Sequence, residues 1–116
     1  MIAAADSNCQ INLIKIKPTL QIVGKLQGHA QMVNHLVFAS PESHRLVSIS
    51  ADYTMKVWDL RERREFKTAS FTSSCQALDI MRNDYSFATG HKTGEIKLWS
   101  LSEGREVQKI TNMFDT

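Results

Sequence analysis

The sequence is poor in cysteine: its 116 residues include only Cys9 and Cys75, and the two form no CxxC pair. Such sparse and distant thiols argue against a disulfide framework or a zinc motif, and they favour a reducing compartment such as the cytoplasm. Long apolar runs are also lacking, so no membrane span is predicted. The first ten residues, "MIAAADSNCQ", lack the basic start and the apolar core of a secretory signal.

The sequence has no marked excess of charge of either sign. Its formal net charge is +2, from 14 Lys and Arg against 12 Asp and Glu, which is too weak to argue for a nucleic-acid partner. The histidines, which show no metal-ligand spacing, are His29, His35, His44 and His91. We therefore expect neither a metal nor another cofactor.

What the sequence does contain is an internal repeat. The segments "MKVWDL" and "IKLWSL" share one pattern of apolar residues, lysine and tryptophan, and their tryptophans, Trp58 and Trp99, lie 41 residues apart. A weaker copy, "INLIKI", carries Ile14 at the tryptophan position, 44 residues before Trp58. A period of about 41 to 44 residues is typical of one blade of a β-propeller.

Each repeat is predicted to form four short strands, because runs of β-branched and aromatic residues alternate with turns such as "SPESH", "RNDY" and "SEG". Gly94 and Gly104 suit turn positions with positive φ. Neighbouring apolar residues such as Val57 and Trp58 indicate strands that are covered on both faces. The predicted fold class is therefore all-β: a partial propeller of about two and a half four-stranded antiparallel blades, with eleven strands. Its predicted units are residues 1–27, 28–70 and 71–116 of one incomplete domain.

The middle unit resembles the WD-repeat family. Gly28-His29, the turn residue Asp52 six positions before the tryptophan, and Trp58-Asp59 match the signature of that family. The last unit departs from the signature at Ser70-Phe71, Thr93 and Ser100, which replace the Gly-His pair, the turn aspartate and the final aspartate. The resemblance implies a non-catalytic propeller that serves as a scaffold for protein–protein interactions.

A narrower resemblance is carried by "KTASFTSSCQALDI" and "FATGHKTGEIKLWSL". These segments are similar to a blade of the C-terminal propeller in the autophagy-related protein sixteen family. Members of that family recruit partners and membranes to the lipid-conjugation machinery. The resemblance implies a cytoplasmic adaptor in autophagosome assembly, with indirect membrane recruitment. The alternative is an adaptor in ubiquitin ligation or RNA processing, where similar blades occur.

Three residues of the middle unit can be interpreted in two ways. His29, Ser48 and Asp52 are the residue types of a hydrolase triad, which makes a serine hydrolase the remote alternative. By the WD-repeat resemblance, these residues instead form a buried hydrogen-bond chain with Trp58. Ser48 lies in the apolar run "RLVSISA" and not in a G-x-S-x-G elbow, which favours the chain. The last unit is predicted to keep part of this network, at Thr89 and Trp99.

The WD-repeat resemblance also places partner binding on loops at one face of the propeller. The candidate binding residues on those loops are Gln31, Met32, Ala51, Tyr53, Ser73 and Lys92. Among them, Met32 and Tyr53 are candidate apolar anchors.

The number of blades leads to a further expectation. A closed propeller typically has about four to eight blades, and open blades leave large apolar faces. We therefore expect this sequence to be part of a longer propeller, or a truncated gene product, whose partners include the remaining blades. A ring closed by several copies is the alternative.

Overall fold

A computed structural model describes residues 2–38, 44–81, 86–100 and 103–110. The described residues form eleven strands: β1 (Ile2–Ala5), β2 (Ile11–Lys15), β3 (Gln21–Leu26), β4 (Val33–Phe38), β5 (Arg45–Ser50), β6 (Thr54–Asp59), β7 (Arg64–Ser70), β8 (Cys75–Met81), β9 (Ser86–His91), β10 (Ile96–Ser100) and β11 (Arg105–Ile110). The turn predicted at "RNDY", and all but the last residue of "SPESH", lie outside the described residues. No helix in the described ranges is long and apolar enough to cross a membrane.

The strands form three antiparallel sheets in which neighbours along the chain are neighbours in space. The first sheet has the order β1-β2-β3, the middle sheet β4-β5-β6-β7, and the last sheet β8-β9-β10-β11. Short hairpin turns join such strands because antiparallel neighbours need no long crossover. The predicted fold class, a partial propeller of about two and a half blades, is confirmed. The unit boundaries proposed at residues 27/28 and 70/71 stay predictions.

The middle sheet is covered on both faces, as its doubly apolar strands predict. On one side, Trp58 and Leu46 pack against residues of the first sheet, Ile11, Leu13 and Leu26. These five side chains are at most 1% exposed. Burying each of them stabilises the fold by about 1.5–3 kcal/mol relative to an exposed side chain.

On the other side, the middle sheet faces the last sheet. Val57 and Ile49 are fully buried there, in one apolar cluster with Phe87 and Trp99 of the last sheet. The Phe87 and Trp99 rings are stacked, with centroids 6.0 Å apart. Because Val57 and Trp58 point to opposite faces, successive residues of β6 contribute to the two different cores.

Three turn residues of the middle sheet have left-handed backbones although none is glycine, and the first of them is His44 with φ 53°. Tyr53 has φ 66° and Arg63 has φ 55°, whereas 41 residues later the same turn positions hold Gly94 (φ 90°) and Gly104 (φ 68°). The prediction of positive φ at the two glycines is thus confirmed. Glycine adopts this conformation without the Cβ clash that other residues incur. Arg63 donates a hydrogen bond to the Val23 carbonyl of the first sheet.

Candidate functional site

A polar cluster lies inside the middle sheet, where most neighbouring side chains are apolar. Ser48 comes from β5, Trp58 from β6, Asp52 from the turn between these strands, and His29 from the loop that leads into β4. His29 Nε2 lies 2.6 Å from Ser48 Oγ, and His29 Nδ1 lies 3.2 Å from Asp52 Oδ2. Trp58 donates its indole N–H to Ser48 Oγ at 2.8 Å. The structure therefore brings the four predicted network residues into one hydrogen-bonded chain.

One arrangement of hydrogens satisfies every member of this chain. The Trp58 N–H donates to Ser48, and the Ser48 hydroxyl donates to His29 Nε2. His29 then carries its proton on Nδ1 and donates it to the Asp52 carboxylate. Each donor in this network meets an acceptor, so none of the polar groups of His29, Ser48, Asp52 and Trp58 that form it is buried without a partner.

The environment sets the protonation of His29 and Asp52. Burial lowers the pKa of His29, against the opposing effect of the Asp52 hydrogen bond and charge. Burial alone would raise the pKa of Asp52, but hydrogen bonds from Thr54, the Ala30 N–H and His29 outweigh it and lower that pKa to about 2. A neutral histidine beside an ionised aspartate results, which matches the hydrogen arrangement above.

Ser48 has the partners of a triad serine but not its access. Its side chain is fully buried, and its Oγ already accepts the Trp58 N–H. A catalytic serine must place its hydroxyl against a substrate carbonyl beside an oxyanion-stabilising site. A substrate therefore cannot reach Ser48 Oγ in this arrangement, because the side chain is fully buried and Oγ is bonded to Trp58 and His29.

Thr54 and Ala30 are members of the cluster that sequence reasoning missed. The Thr54 N–H donates to Asp52 Oδ1 at 2.9 Å, the Thr54 hydroxyl donates to the same oxygen, and Thr54 Oγ1 lies 3.1 Å from His29 Nδ1. The Ala30 N–H donates to Asp52 Oδ2 at 2.8 Å. A signal for Thr54 was present, because an aspartate in a turn commonly accepts from the backbone two residues later.

The last sheet holds a related but shorter series of hydrogen-bonded side chains. Trp99 donates its indole N–H to Thr89 Oγ1 at 2.9 Å, as expected for these two residues. The third member is His91, whose Nε2 lies 2.8 Å from Thr89 Oγ1. Phe71, which aligns with His29, packs edge-on against the His91 ring at a centroid distance of 4.4 Å. The histidine of this chain thus comes from β9 instead of the preceding loop.

The residue that replaces the turn aspartate also makes different hydrogen bonds in the last sheet. Thr93, which aligns with Asp52, donates to Glu95 Oε1 at 3.2 Å and not to a histidine. Burial lowers the pKa of His91, and the charge of Lys97 lowers it further. The alternation of β9 was the available signal for His91, since Thr89 and His91 share one face of the strand.

A second polar group explains why glycine stands at position 28. Lys56, only 7% exposed, pairs with Glu65 at 2.8 Å and donates to Thr68 Oγ1 at 3.1 Å. A Cβ on Gly28 would collide with Glu65 Oε1 and lie 3.1 Å from the Trp58 ring. The Lys–Glu pair recurs at Lys97 and Glu106, 3.5 Å apart. Lysine and glutamate nine residues apart in both repeats were the signal for this pair.

Backbone hydrogen bonds join the loops that carry the candidate partner-binding residues. The Ala51 N–H donates to the Met32 carbonyl at 2.9 Å, the Phe71 N–H to the Tyr53 carbonyl at 2.8 Å, and the Lys92 N–H to the Ser74 carbonyl at 3.1 Å. These bonds connect successive loops of the middle and last sheets into one surface, which we call the loop face (residues 28–32, 51–53, 71–74 and 91–94).

The predicted binding residues differ in their exposure on the loop face. Met32 is 61% exposed and Tyr53 48% exposed. Gln31, Ala51 and Lys92 are also exposed, whereas Ser73 is half-buried. Five of the six candidates are therefore accessible to a partner, and their role in binding stays a prediction. Across the described ranges, no group of three or more His, Cys, Asp or Glu could hold a metal ion.

Comparison with known proteins identifies part of the chain directly. Residues 20–59 match the family model "WD domain, G-beta repeat". The matched range ends at Trp58-Asp59 and includes the whole cluster of His29, Ser48 and Asp52.

Two curated proteins and one solved structure illustrate the range of relatives. The chain is 29% identical over 85 residues to "Autophagy-related protein 16" of Arabidopsis thaliana, covering 73% of this chain. It is 37% identical over 81 residues to "Pre-mRNA-splicing factor cwf17" of Schizosaccharomyces pombe, covering 70% of this chain. The crystal structure of the computationally designed Ika8 protein superposes with a TM-score of 0.77 and 25% identity, covering 93% of this chain.

The chain spans only a minor part of each of these proteins. It covers 17% of the Arabidopsis protein, 24% of the splicing factor and 32% of the designed chain. The likeness therefore concerns a few repeats and not the whole architecture of any relative.

Proposed function

Since this chain is a WD-repeat protein with a partial β-propeller fold, we propose that it is a non-catalytic scaffold that binds other proteins through its loop face. WD repeats are protein-interaction modules, and the buried position of Ser48 supports a structural role for the triad-like group of His29, Ser48 and Asp52. The observation that carries the proposal is the joined loop face, which presents exposed Met32 and Tyr53 on a backbone held by hydrogen bonds.

Affinity purification with loop-face variants tests this proposal. The chain carrying Met32→Ser and Tyr53→Gly is compared with wild type, and bound proteins are quantified by mass spectrometry. A matched control is Val107→Ser, because Val107 is a similarly exposed apolar residue (53%) on β11. The proposal expects a set of proteins that the loop-face variant loses and the control retains. Equal recovery by all three proteins contradicts it.

The finer proposal is an adaptor in autophagosome assembly. It is supported by the resemblance of "KTASFTSSCQALDI" and "FATGHKTGEIKLWSL" to a blade of the autophagy-related protein sixteen family and by the 29% identity to the Arabidopsis protein. Indirect membrane recruitment and a cytoplasmic location belong to the same proposal. Deleting the gene should then reduce the lipid-conjugated form of the ubiquitin-like autophagy protein during starvation.

RNA processing is the second candidate, favoured by the 37% identity to a pre-mRNA-splicing factor. The same deletion strain distinguishes the two, because a splicing adaptor predicts intron retention in sequenced RNA and normal lipid conjugation. An adaptor in ubiquitin ligation stays a prediction from the sequence.

A further part of the proposal concerns the outer face of the first sheet. Ile2, Ile14 and Ile22 are cross-strand neighbours on β1, β2 and β3, and Ile2 and Ile22 are 45% and 60% exposed. The aligned Trp58 of the middle sheet covers the sheet before it. We propose that the isoleucine row packs against another blade, from a longer chain or from a second copy. Sedimentation separates these sources, since a second copy makes the mass depend on concentration.

A further inference from the structure

The middle and last sheets present different chemistry at equivalent positions of the loop face. Met32 and Tyr53 of the middle sheet align with Ser74 and Gly94 of the last sheet. The backbone bonds are the same in both, because the Met32 and Ser74 carbonyls each accept an N–H from the next turn, that of Ala51 or Lys92. The blade fold is therefore satisfied by serine and glycine at these positions, and it does not require the large apolar side chains.

Tyr53 also has a backbone conformation that disfavours its own side chain. Its φ is 66°, in the region where Gly94 stands in the last sheet with φ 90°. Strained residues that persist without a packing reason tend to occur at functional sites. Tyr53 is 48% exposed and Met32 is 61% exposed, so burial in this chain does not explain either of them. The turn that holds Tyr53 is joined to Met32 by the hydrogen bond from the Ala51 N–H to the Met32 carbonyl.

The charge of the loop face has one sign next to these apolar residues. The Asp52 side chain is 10% exposed, and its carboxylate is hydrogen-bonded to His29 and Thr54. Lys92, which aligns with Ala51, is exposed, and no carboxylate among the described residues lies within ion-pair distance of it. The Glu95 carboxylate already accepts a hydrogen bond from the Thr93 hydroxyl and forms an ion pair with Lys109. The exposed charge of the face is therefore positive.

We propose that Met32 and Tyr53 form an apolar anchor site for a protein segment that carries one large apolar side chain with acidic residues beside it. The apolar side chain packs on Met32 and the Tyr53 ring, and an acidic residue toward the last sheet pairs with Lys92. Apolar and aromatic anchors contribute most of the binding energy at such sites, and an exposed charge mainly adds selectivity and speed of association. The inference rests on the proposed scaffold function and specifies the partner of its loop face.

Selection from a random peptide library displayed on phage tests this partner chemistry. The whole chain is the bait, and synthetic fluorescein-labelled versions of the enriched peptides are titrated by fluorescence anisotropy. The expected consensus holds one Leu, Ile, Met or Phe with Asp or Glu within about two positions. No enriched peptide, or a consensus that is basic or lacks a large apolar residue, overturns the inference.

The chain itself supplies the test variants, because each change installs the residue found at the same position of the other blade. Tyr53→Gly and Met32→Ser should each weaken the Kd at least tenfold. Lys92→Ala should weaken it about threefold for the acidic peptide and leave a version with Asn and Gln in place of its acids unaffected. Far-ultraviolet circular dichroism checks that each variant keeps its strands.

The control is Val107→Ser, which should bind the peptide as wild type does. Peptide binding that is lost in Val107→Ser and kept in Tyr53→Gly overturns the anchor site and the assignment of binding to the loop face, while capture of proteins by the wild-type chain would still establish a scaffold. A chain that captures neither peptides nor proteins contradicts both.

Discussion

Trp58 donates its indole N–H to Ser48 Oγ across 2.8 Å, and neither side chain has more than 1% of its surface exposed. A buried indole N–H without an acceptor is costly, so this bond ties β6 to β5 from within the apolar core. His29 and Asp52 extend the tie to the preceding loop and to the next turn. The same residue types that a hydrolase uses for chemistry can therefore hold a blade together.

We expect Asp52→Ala to destabilise the chain by about 1–3 kcal/mol, because it leaves His29 and the Ala30 N–H without their acceptor. Thr93→Ala changes the aligned turn of the last sheet, where the side chain bonds to the partly exposed Glu95, and should cost less than about 0.5 kcal/mol. Urea unfolding followed by tryptophan fluorescence measures both. Equal stability of Asp52→Ala and wild type would falsify the structural role of this network.

Two substitutions at Thr89 separate the contribution of its hydroxyl to the free energy of unfolding from the contribution of its shape. Thr89→Val keeps the volume but leaves the Trp99 N–H and His91 Nε2 without a partner, so a loss of about 1–3 kcal/mol is expected. Thr89→Ser keeps the hydroxyl and removes one buried methyl group, which should cost about 1 kcal/mol. Thermal or urea unfolding ranks the two variants. A valine variant as stable as the serine variant would show that the hydrogen bonds contribute little.

The repeat period was enough to predict the middle and last sheets, because tryptophans 41 residues apart fix where the third strand of each of these blades lies, and the weaker copy around Ile14 predicted the first sheet. It was not enough to find His91. Alignment places Phe71 at the histidine position and gives no reason to look two residues beyond Thr89. The Thr89 hydroxyl accepts a partner from its own strand as readily as from the preceding loop, so spacing alone does not determine which histidine it meets.

The pairing of Lys56 with Glu65 shows a second limit of sequence reasoning. Both residues recur 41 positions later, yet their contact depends on the register of β6 and β7, which shifts between Val57 and Trp58. A shift of one residue changes which side chains share a face. The same shift recurs at the aligned positions Leu13/Ile14 and Leu98/Trp99, so it belongs to the repeat, but the repeated spacing of lysine and glutamate does not by itself reveal it.

Gly28→Ala tests the close packing that this pair imposes. The new Cβ would collide with Glu65 Oε1 and press on the Trp58 ring, so we expect a loss of about 1–3 kcal/mol. The same change in a Glu65→Ala background should cost clearly less, since one obstacle is gone. Urea unfolding of the four proteins completes the cycle. Additive losses would mean that the glycine is required for another reason.

The two buried histidines predict a stability that falls in mild acid. Burial lowers the pKa of His29 and of His91 below the usual 6.5, so the unfolded chain binds protons that the folded chain does not. Stability is therefore complete above about pH 6.5 and declines below it, by up to about 1.4 kcal/mol per pH unit for each histidine. The charges acting on His29 are those of Asp52, Lys56 and Glu65.

Urea unfolding at pH 7.0 and pH 5.5 measures this loss. The double variant His29→Gln/His91→Gln should lose less stability than wild type over the same interval, although it starts from a lower value. Asp52 contributes in a separate window: its pKa of about 2 lies below the usual 3.8, so its contribution is lost only between those values. An identical pH dependence in wild type and the double variant would refute the assignment to the histidines.

Ser48 should be inert toward a fluorophosphonate probe, because its side chain is fully buried. Its Oγ accepts the Trp58 N–H and lies 2.6 Å from His29 Nε2, so it is not available to a reagent in solvent. We expect no labelling of the folded chain above the level of Ser48→Ala, measured by gel fluorescence and peptide mass spectrometry. A serine hydrolase of known activity serves as the positive control. Stoichiometric labelling of Ser48 in folded wild type, absent in Ser48→Ala, would instead establish a reactive nucleophile and restore the hydrolase alternative.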